Sequence, residues 1–237
     1  MILIHGNIGA GKTENGAMLG QSDSFIFIRE PVDRLRKLKM EIAENLLQEY
    51  YDDPEKHAFN YQLAMATART KRWDWALIRF GFGSHKRMVS DSSLYHDRKV
   101  FAEYRRGLGQ ITPEHWKKYD MAWNLLESYP ESYTDLIDLI LYLRTPHETC
   151  IKREDIRGRP EEMELVKKLF EDLGGRNDEW MLGERNPGRV EYGKDGVYKA
   201  EIVSGTGKVR EVPVIAFDGM EWLSLEKTYA LSERYMQ

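Results

Sequence analysis

A glycine-rich motif directly behind the first apolar residues constrains the fold of this chain more than any other feature. The run Met1–His5 predicts a short buried strand. It is followed by Gly6, Asn7, Ile8, Gly9, Ala10, Gly11, Lys12 and Thr13, which match the pattern G-x-x-x-x-G-K-[ST]. In such a loop the backbone N–H groups surround an anion, and the next helix points its positive end at it. The motif therefore predicts a nucleoside triphosphate site at residues 6–13, with Lys12 on the phosphates and Thr13 on Mg²⁺, rather than a glycine-rich turn with a surface lysine.

Composition limits the partners and the compartment. A chain of 237 residues suits one domain, here 1–237. The net charge of −4 gives no basic field for a nucleic acid polymer, and no apolar run approaches the length of a membrane span. The single Cys150 excludes an internal disulfide, and the chain begins without a signal segment. We therefore expect a cytoplasmic protein without nucleic acid or membrane partners.

Alternating strand and helix patterns predict an α/β fold with a parallel sheet covered by helices on both faces. The predicted strands are 24–28, 87–90, 136–143 and 212–219. The predicted helices are 14–19, 32–50, 54–78, 94–106, 112–126, 161–173 and 222–235, with Gly174-Gly175 ending the helix at 161–173. Within 188–210, the Asp195-Gly196 turn signal predicts an inserted β-hairpin.

Two carboxylates come at the ends of predicted strands. Open α/β sheets place their chemistry at the carboxyl ends of the strands. Glu30 follows the strand at 24–28, where it is either a functional carboxylate or a solvated turn residue. Asp91 follows the strand at 87–90 and is suited to bind Mg²⁺ beside Thr13.

Two further features suggest contacts with a substrate. Gln62 is a neutral amide on a largely apolar predicted helix, which suits pairing with a nucleobase edge, although a surface glutamine would give the same pattern. Arg153, Arg157 and Arg159 surround Gly158 in a basic segment. We interpret residues 153–162 as a movable arginine lid over transferring phosphates, the alternative being a solvated charged face.

These motifs together resemble the deoxynucleoside kinase family, P-loop kinases related to thymidylate kinase. The resemblance covers residues 1–180 and the strand near 213–218. It rests on the loop at 6–13, Glu30-Pro31-Val32, Tyr51 with Gln62, the segment 91–98 with Phe101, and the strand at 141–146 with the lid.

The resemblance implies a three-layer P-loop kinase fold and a role for each matched residue. Glu30 is the implied base on the 5′-hydroxyl, and Lys12 and the lid arginines are implied to stabilise the transferred phosphate. Thr13 and Asp91 are implied to serve Mg²⁺, with ATP or another nucleoside triphosphate as donor. The implied acceptor contacts are Tyr51, Gln62, Arg98, Phe101 and Glu162, and family members are often homodimers.

Three positions depart from the family pattern. The arginine that supports the catalytic carboxylate falls on Ser92, and the tryptophan after Glu-Pro-Val falls on Leu35. Arg29, before Glu30, is more typical of thymidylate kinases. Arg69, Arg98 and Arg29 are candidates to replace the arginine missing at position 92.

The sequence therefore predicts ATP-dependent phosphoryl transfer to the 5′-hydroxyl of a deoxynucleoside. One alternative is a deoxynucleoside monophosphate kinase, whose acceptor carries a phosphate. A second alternative is a nucleotide-binding protein that has lost catalysis, with Ser92 as the trace of that loss.

Overall fold

A six-stranded sheet organises the fold. A computed structural model describes residues 1–36, 45–81, 85–128, 132–159 and 167–236. The strands are β1 (Ile2–Gly6), β2 (Phe25–Ile28), β3 (Arg87–Asp91), β4 (Leu139–Arg144), β5 (Tyr198–Val203) and β6 (Val209–Asp218). Their order is β2-β3-β1-β4-β6-β5, in which β5 pairs antiparallel at the edge and the other pairs are parallel.

Helices cover both faces of the sheet, as predicted. They are α1 (Lys12–Leu19), α2 (Val32–Leu35), α3 (Leu46–Asp52), α4 (Pro54–Ala76), α5 (Leu94–His96), α6 (Glu103–Gly107), α7 (Pro113–Ser128), α8 (His147–Arg157), α9 (Lys167–Leu182) and α10 (Leu225–Tyr235). A π-helical segment, Leu77–Gly81, extends α4, and another, Asp97–Ala102, joins α5 to α6. No helix in these ranges combines the length and apolarity needed to cross a bilayer.

Alternation along β1 divides the core into two layers. Leu3 packs into one cluster with Trp73 of α4 and Tyr119 of α7. Ile2 and Ile4 point to the opposite face and pack into a second cluster. Because all five residues of β1 are buried, this strand lies at the centre of the fold, and the loop that follows it is held from several sides.

The register of the parallel strands assembles the site. Ile4 lies opposite Asp91, and Gly6 lies opposite Leu143, so the carboxyl ends of β1, β3 and β4 meet at one edge. Ile28 pairs with Ser90, which brings Glu30 to the same edge. The predicted convergence of strand ends is therefore confirmed.

A hairpin near the C-terminus is present, but its turn is not at Asp195-Gly196. It is formed by β5 and β6, and its turn occupies residues 204–208. The Gly205 N–H donates to the buried carboxylate of Glu127, which anchors this turn to the end of α7. The second strand of the hairpin thus continues into the last core strand.

The predicted end of a helix at Gly174-Gly175 was also wrong. Helix α9 runs through both glycines and stops before Gly183, whose φ is +81°. A Cβ on Gly175 would lie 2.7 Å from Nε of Arg185. The two glycines therefore do not end this helix. The predicted helix at 32–50 contains α2 and most of α3, and its residues 37–44 lie outside the described part. Residues 161–166 of the helix predicted at 161–173 also lie outside the described part.

Candidate active site

The glycine-rich loop adopts a conformation that only glycine permits at its tightest point. Gly9 has a φ of +70°, and a Cβ there would lie 2.5 Å from the carbonyl oxygen of Cys150. Helix α1 begins directly after this loop at Lys12. The backbone therefore forms the anion cradle that the motif predicts.

Lys12 and Thr13 are held by the loop and by β3. The ammonium of Lys12 donates to the carbonyl oxygens of Gly6 (3.0 Å) and Asn7 (2.7 Å). The hydroxyl of Thr13 donates to Oδ2 of Asp91 at 2.5 Å. The two residues predicted to serve the metal are thus in direct contact.

The surroundings of Asp91 fit a magnesium ion. Its Oδ1 atom is buried and has no hydrogen-bond partner. Burial, followed by the nearby Glu30 carboxylate, raises the pKa of Asp91 to about 6. The described residues contain no cluster of three or more His, Cys, Asp or Glu side chains arranged for a metal. One carboxylate and one hydroxyl suit Mg²⁺, which keeps several waters and takes its other ligands from substrate phosphates.

Arg69 of α4 joins three acidic positions. Its guanidinium donates to Asp97 at 2.6 and 3.1 Å and to Oε1 of Glu30 at 2.8 Å. It also donates to the carbonyl oxygen of Asp91 at 2.7 Å. Of the three candidate arginines, Arg69 is the one that pairs with Glu30 in this structure.

Charge and burial compete in this cluster. Arg69 is 1% exposed, and burial alone would lower its pKa, but Asp97 and Glu30 outweigh burial and raise it. Burial raises the pKa of Asp97 to about 6 although Arg69 opposes the change. The guanidinium is therefore charged, and it holds Glu30 facing the loop across the cavity.

Ser92 belongs to a buried chain of hydrogen bonds. Its hydroxyl lies 2.7 Å from Nδ1 of His96, and Nε2 of His96 lies 2.6 Å from Oδ1 of Asn177. The amide of Asn177 donates to the carbonyl oxygen of Leu173, so its oxygen must accept from His96. Burial lowers the pKa of His96 to about 3, so the ring is neutral. Nδ1 is then an acceptor, and Ser92 must donate its proton to it, which leaves only lone pairs on Ser92 for a ligand.

A cavity of about 490 Å³ joins the loop to the region around Glu30. Aromatic and apolar side chains line its acceptor half, together with Gln62 and Asp97; the apolar and aromatic ones include Val32, Tyr50, Tyr51, Tyr61, Met65 and Phe101. Gln62 is only 1% exposed, yet its amide has no hydrogen bond to any described residue. A buried amide that faces a cavity without a protein partner is available to a ligand.

The predicted lid arginines line the loop side of the same cavity. Arg153 donates to the carbonyl oxygens of Ala10 (3.2 Å) and Gly219 (3.0 Å). Arg157 pairs with Glu154, and Arg159 lies 3.9 Å from Asp33. Helix α8 ends at Gly158, whose φ of +62° reverses the chain between Arg157 and Arg159.

One predicted acceptor residue, Arg98, is not brought to the cavity. Arg98 pairs with Asp120 and stacks 4.5 Å from the ring centroid of Trp123, so it faces α7 rather than the acceptor. The cause is helical rotation, since Asp97 and Arg98 are adjacent in sequence but point in different directions. Glu162 lies outside the described residues.

Some cavity residues escaped sequence reasoning. Asp97, His96 and Trp222 line the cavity, and Arg69, which the sequence offered only as one of three candidates, pairs with Glu30. Arg69 follows Gln62 by seven residues, or two helical turns, which was the available signal that both share one face of α4. Trp222 is 65% exposed and lies in the loop between β6 and α10, where no local sequence pattern indicates a site residue.

Comparison with known proteins agrees with this geometry. The family model described as deoxynucleoside kinase matches residues 2–234. A solved structure described as deoxyadenosine kinase from M. mycoides with bound dCTP superposes with a TM-score of 0.66 at 20% identity and covers 99% of this chain and 98% of that one. At that identity the superposition supports the P-loop kinase fold alone.

Curated relatives point to the same family. A probable deoxycytidine kinase of Fowlpox virus is 28% identical over 189 residues, covering 78% of this chain and 72% of the relative. The deoxyadenosine/deoxycytidine kinase of Bacillus subtilis is 25% identical over 183 residues, covering 77% of each. The deoxycytidine kinase of Mus musculus is 26% identical over 231 residues, covering 92% of this chain and 82% of the relative. The chain therefore belongs to the deoxynucleoside kinase family and is a phosphotransferase.

Proposed function

We propose that this kinase transfers the γ-phosphoryl group of ATP, or of another nucleoside triphosphate, to the 5′-hydroxyl of a deoxynucleoside. The observation that carries the proposal is Glu30, which Arg69 holds at the acceptor side of the cavity at 2.8 Å. A carboxylate facing the phosphate loop can take the proton of an attacking hydroxyl. Phosphoryl transfer otherwise depends on positioning and charge stabilisation.

Charge in the acceptor half favours a nucleoside over a nucleoside monophosphate. The cations lining the cavity in the described residues are Lys12, Arg153, Arg157 and Arg159, on the loop and lid side. Arg69 is engaged by Glu30, Asp97 and the Asp91 carbonyl. A 5′-phosphate on the acceptor would meet the carboxylates of Glu30 and Asp97, and the cavity-lining cations of the described residues lie on the loop and lid side, whereas a hydroxyl can donate to Glu30.

Each residue then has a defined part in the reaction. Glu30 accepts the proton of the 5′-hydroxyl while the oxygen of that hydroxyl attacks the γ-phosphorus. The donor leaves as a diphosphate. Lys12 and the lid residues Arg153, Arg157 and Arg159 balance the charge on the transferring phosphoryl group. Thr13 and Asp91 would hold Mg²⁺, which when bound would neutralise charge on the donor phosphates as a Lewis acid.

Acceptor recognition rests on a small set of side chains. The unpartnered amide of Gln62 pairs with the edge of the base. Phe101 packs against its face, and Tyr51 contacts the sugar. Amides can turn to pair with several bases, so the acceptor is assigned here as a deoxynucleoside without a chosen base.

The first test compares deoxynucleosides with their monophosphates as acceptors, and compares the wild type with the Glu30→Gln variant. We expect the wild type to phosphorylate deoxynucleosides, and Glu30→Gln to lower kcat by about 10²- to 10⁴-fold while donor binding is kept. Glu55→Gln, an exposed carboxylate in the first turn of α4, is the matched control and should keep wild-type kcat. Transfer to monophosphates alone would contradict the acceptor assignment, and equal turnover of Glu30→Gln would contradict the base. Nucleotide binding without turnover in the wild type would favour the non-catalytic alternative.

We also propose that the protein is a cytoplasmic homodimer. Trp75, Ile78, Met121 and Leu125 are 59–78% exposed on neighbouring elements, namely α4 with its extension and α7. Large exposed apolar side chains grouped on one layer are typical of an interface between subunits. The one cysteine suits a reducing compartment. Sedimentation should give twice the chain mass, and Met121→Lys with Leu125→Lys should give the monomer; a monomeric wild type would contradict the proposal.

A further inference from the structure

Ser92 lies at a sharp turn between a strand and a helix. β3 ends at Asp91, α5 begins at Leu94, and Ser92 between them has a φ of +62°. For a residue other than glycine, this left-handed backbone costs roughly 1–3 kcal/mol, and such strain is concentrated at functional sites. A serine on a strained turn from the carboxyl end of a strand into a helix is the arrangement that holds the nucleophile of α/β-hydrolases. The backbone at Ser92 therefore suits a nucleophile.

Ser92 is also placed beside the phosphate loop. Its N–H donates to the carbonyl oxygen of Ile4 at 2.9 Å, two residues before the loop begins. The preceding residue, Asp91, accepts the hydrogen bond of Thr13 in the loop. Ser92 and Lys12 line the same cavity. Ser92 is therefore on the wall of the cavity that the γ-phosphoryl group of a bound donor would occupy.

His96 is oriented to accept the proton of the Ser92 hydroxyl. Its Nδ1 atom lies 2.7 Å from Oγ of Ser92, and its Nε2–H donates to Oδ1 of Asn177 at 2.6 Å. The amide of Asn177 donates to the carbonyl oxygen of Leu173, which keeps its own oxygen toward the ring. The chain thus has the order of a nucleophile, a base and a group that orients the base, which activates serine and cysteine nucleophiles. Because the Ser92 proton points to His96, the lone pairs of the oxygen are left for an electrophile.

We propose that Ser92 is a second nucleophile of this kinase, which takes the γ-phosphoryl group of a bound nucleoside triphosphate when no acceptor is present. Oγ of Ser92 forms a bond to the γ-phosphorus, and the bond from that phosphorus to the β,γ-bridging oxygen breaks. The nucleoside diphosphate leaves, and the hydroxyl proton passes to Nδ1 of His96. The resulting phosphoserine places up to two negative charges in the cavity, so it would exclude an acceptor. The inference rests on the donor site of the proposed function and not on its acceptor.

This step has a different base from transfer to a nucleoside. Glu30 is bound by Arg69 at 2.8 Å, and among the described residues no hydrogen bond joins Glu30 to Ser92. His96 contacts Ser92 directly. Burial lowers the pKa of His96 to about 3, which makes the ring a weak base, so we expect the step to be slow. Loss of the Glu30 carboxylate should therefore leave the reaction of Ser92 in place.

The test measures labelling of the protein itself. Wild-type protein is incubated with Mg²⁺ and ATP radiolabelled at the γ-phosphate, without an acceptor, and the labelled residue is located by peptide mass spectrometry. We expect phosphoserine at position 92, and no label in Ser92→Ala. Ser224→Ala, which removes an exposed serine that does not line the cavity, is the matched control and should be labelled as the wild type is.

Two further variants separate this step from transfer to a deoxynucleoside, which is measured alongside. Glu30→Gln should lose most transfer to the nucleoside and still label Ser92 within about twofold of the wild-type rate, whereas His96→Gln should label it about tenfold or more slowly. Circular dichroism checks that His96→Gln is folded, and the wild type with Ser92→Ala tests the inference without that variant.

The outcomes distinguish this inference from the proposed function. A wild-type protein that phosphorylates a deoxynucleoside but carries no label on Ser92 would overturn this inference alone, and absence of both reactions would contradict both. Loss of the label in Glu30→Gln, or full labelling of a folded His96→Gln, would overturn the assignment of His96 as the base.

Discussion

Replacing Arg69 should be the most informative test of how the acidic residues of this site are held. The substitution Arg69→Met keeps an unbranched apolar side chain and removes the guanidinium. It takes away two hydrogen bonds to Asp97, one to Glu30 and one to the carbonyl oxygen of Asp91. Asp97, which is 3% exposed, then keeps a carboxylate without its cation.

The expected loss of stability is large and depends on pH. Removing one partner of a buried ion pair costs about 3–5 kcal/mol. The pKa of Asp97 is already raised to about 6 by burial against the pull of Arg69, and it rises further without Arg69. A raised carboxyl pKa means that the folded state binds more protons than the unfolded state, so stability falls as pH rises from the ordinary pKa of 3.8 through the folded value. In Arg69→Met this fall extends to higher pH, with a slope of at most about 1.4 kcal/mol per pH unit for one group.

Urea unfolding at pH 5 and pH 8 measures this effect. Arg69→Met should lose more stability at pH 8 than at pH 5, and adding Asp97→Asn should recover part of the loss. Arg98→Met is the matched control, because its half-exposed pair with Asp120 is worth about 1 kcal/mol or less. A loss no greater than that of Arg98→Met, or a loss equal at both pH values, would refute the assignment of Arg69 as the charge partner of Asp97. With Glu30 no longer held, kcat/KM should also fall about 100-fold or more.

Three further outcomes are expected. Mg²⁺ should raise the thermal midpoint at pH 7.5 more than at pH 5, because the pKa of Asp91 is about 6 and its protonated form does not bind the metal; an equal rise at both pH values would exclude Asp91 as the ligand. Glu127→Ala should cost about 2–4 kcal/mol in urea unfolding, because this buried carboxylate accepts hydrogen bonds from Tyr95 and Gly205, whereas the exposed Glu114→Ala should change stability little. Trp222→Ala should raise the KM for the donor about tenfold with kcat kept, as expected if the exposed ring stacks on the donor base, and an unchanged KM would show that it does not.

Local pattern was sufficient for the frame of the site. The loop at 6–13, the strand ends at Glu30 and Asp91, and the helix that carries Gln62 were all predictable, because each depends on residues close together in the chain. The parallel sheet then brought them together, since the carboxyl ends of parallel strands share one edge. The same reasoning failed for Gly174 and Gly175, which lie inside α9 and do not end the helix.

What the sequence determined by itself was therefore the phosphate loop, the α/β class and the type of chemistry. Only the tertiary structure decided which arginine holds Glu30. Arg69 lies 39 residues from Glu30 and 28 from Asp97. Its spacing from Gln62 indicates a shared face of α4, but no local pattern shows that this face meets Glu30 or that Arg98 turns toward α7 instead. The physical reason is that the direction of a helical side chain depends on how the whole helix is rotated against the sheet, and that rotation is set by the packing of the core.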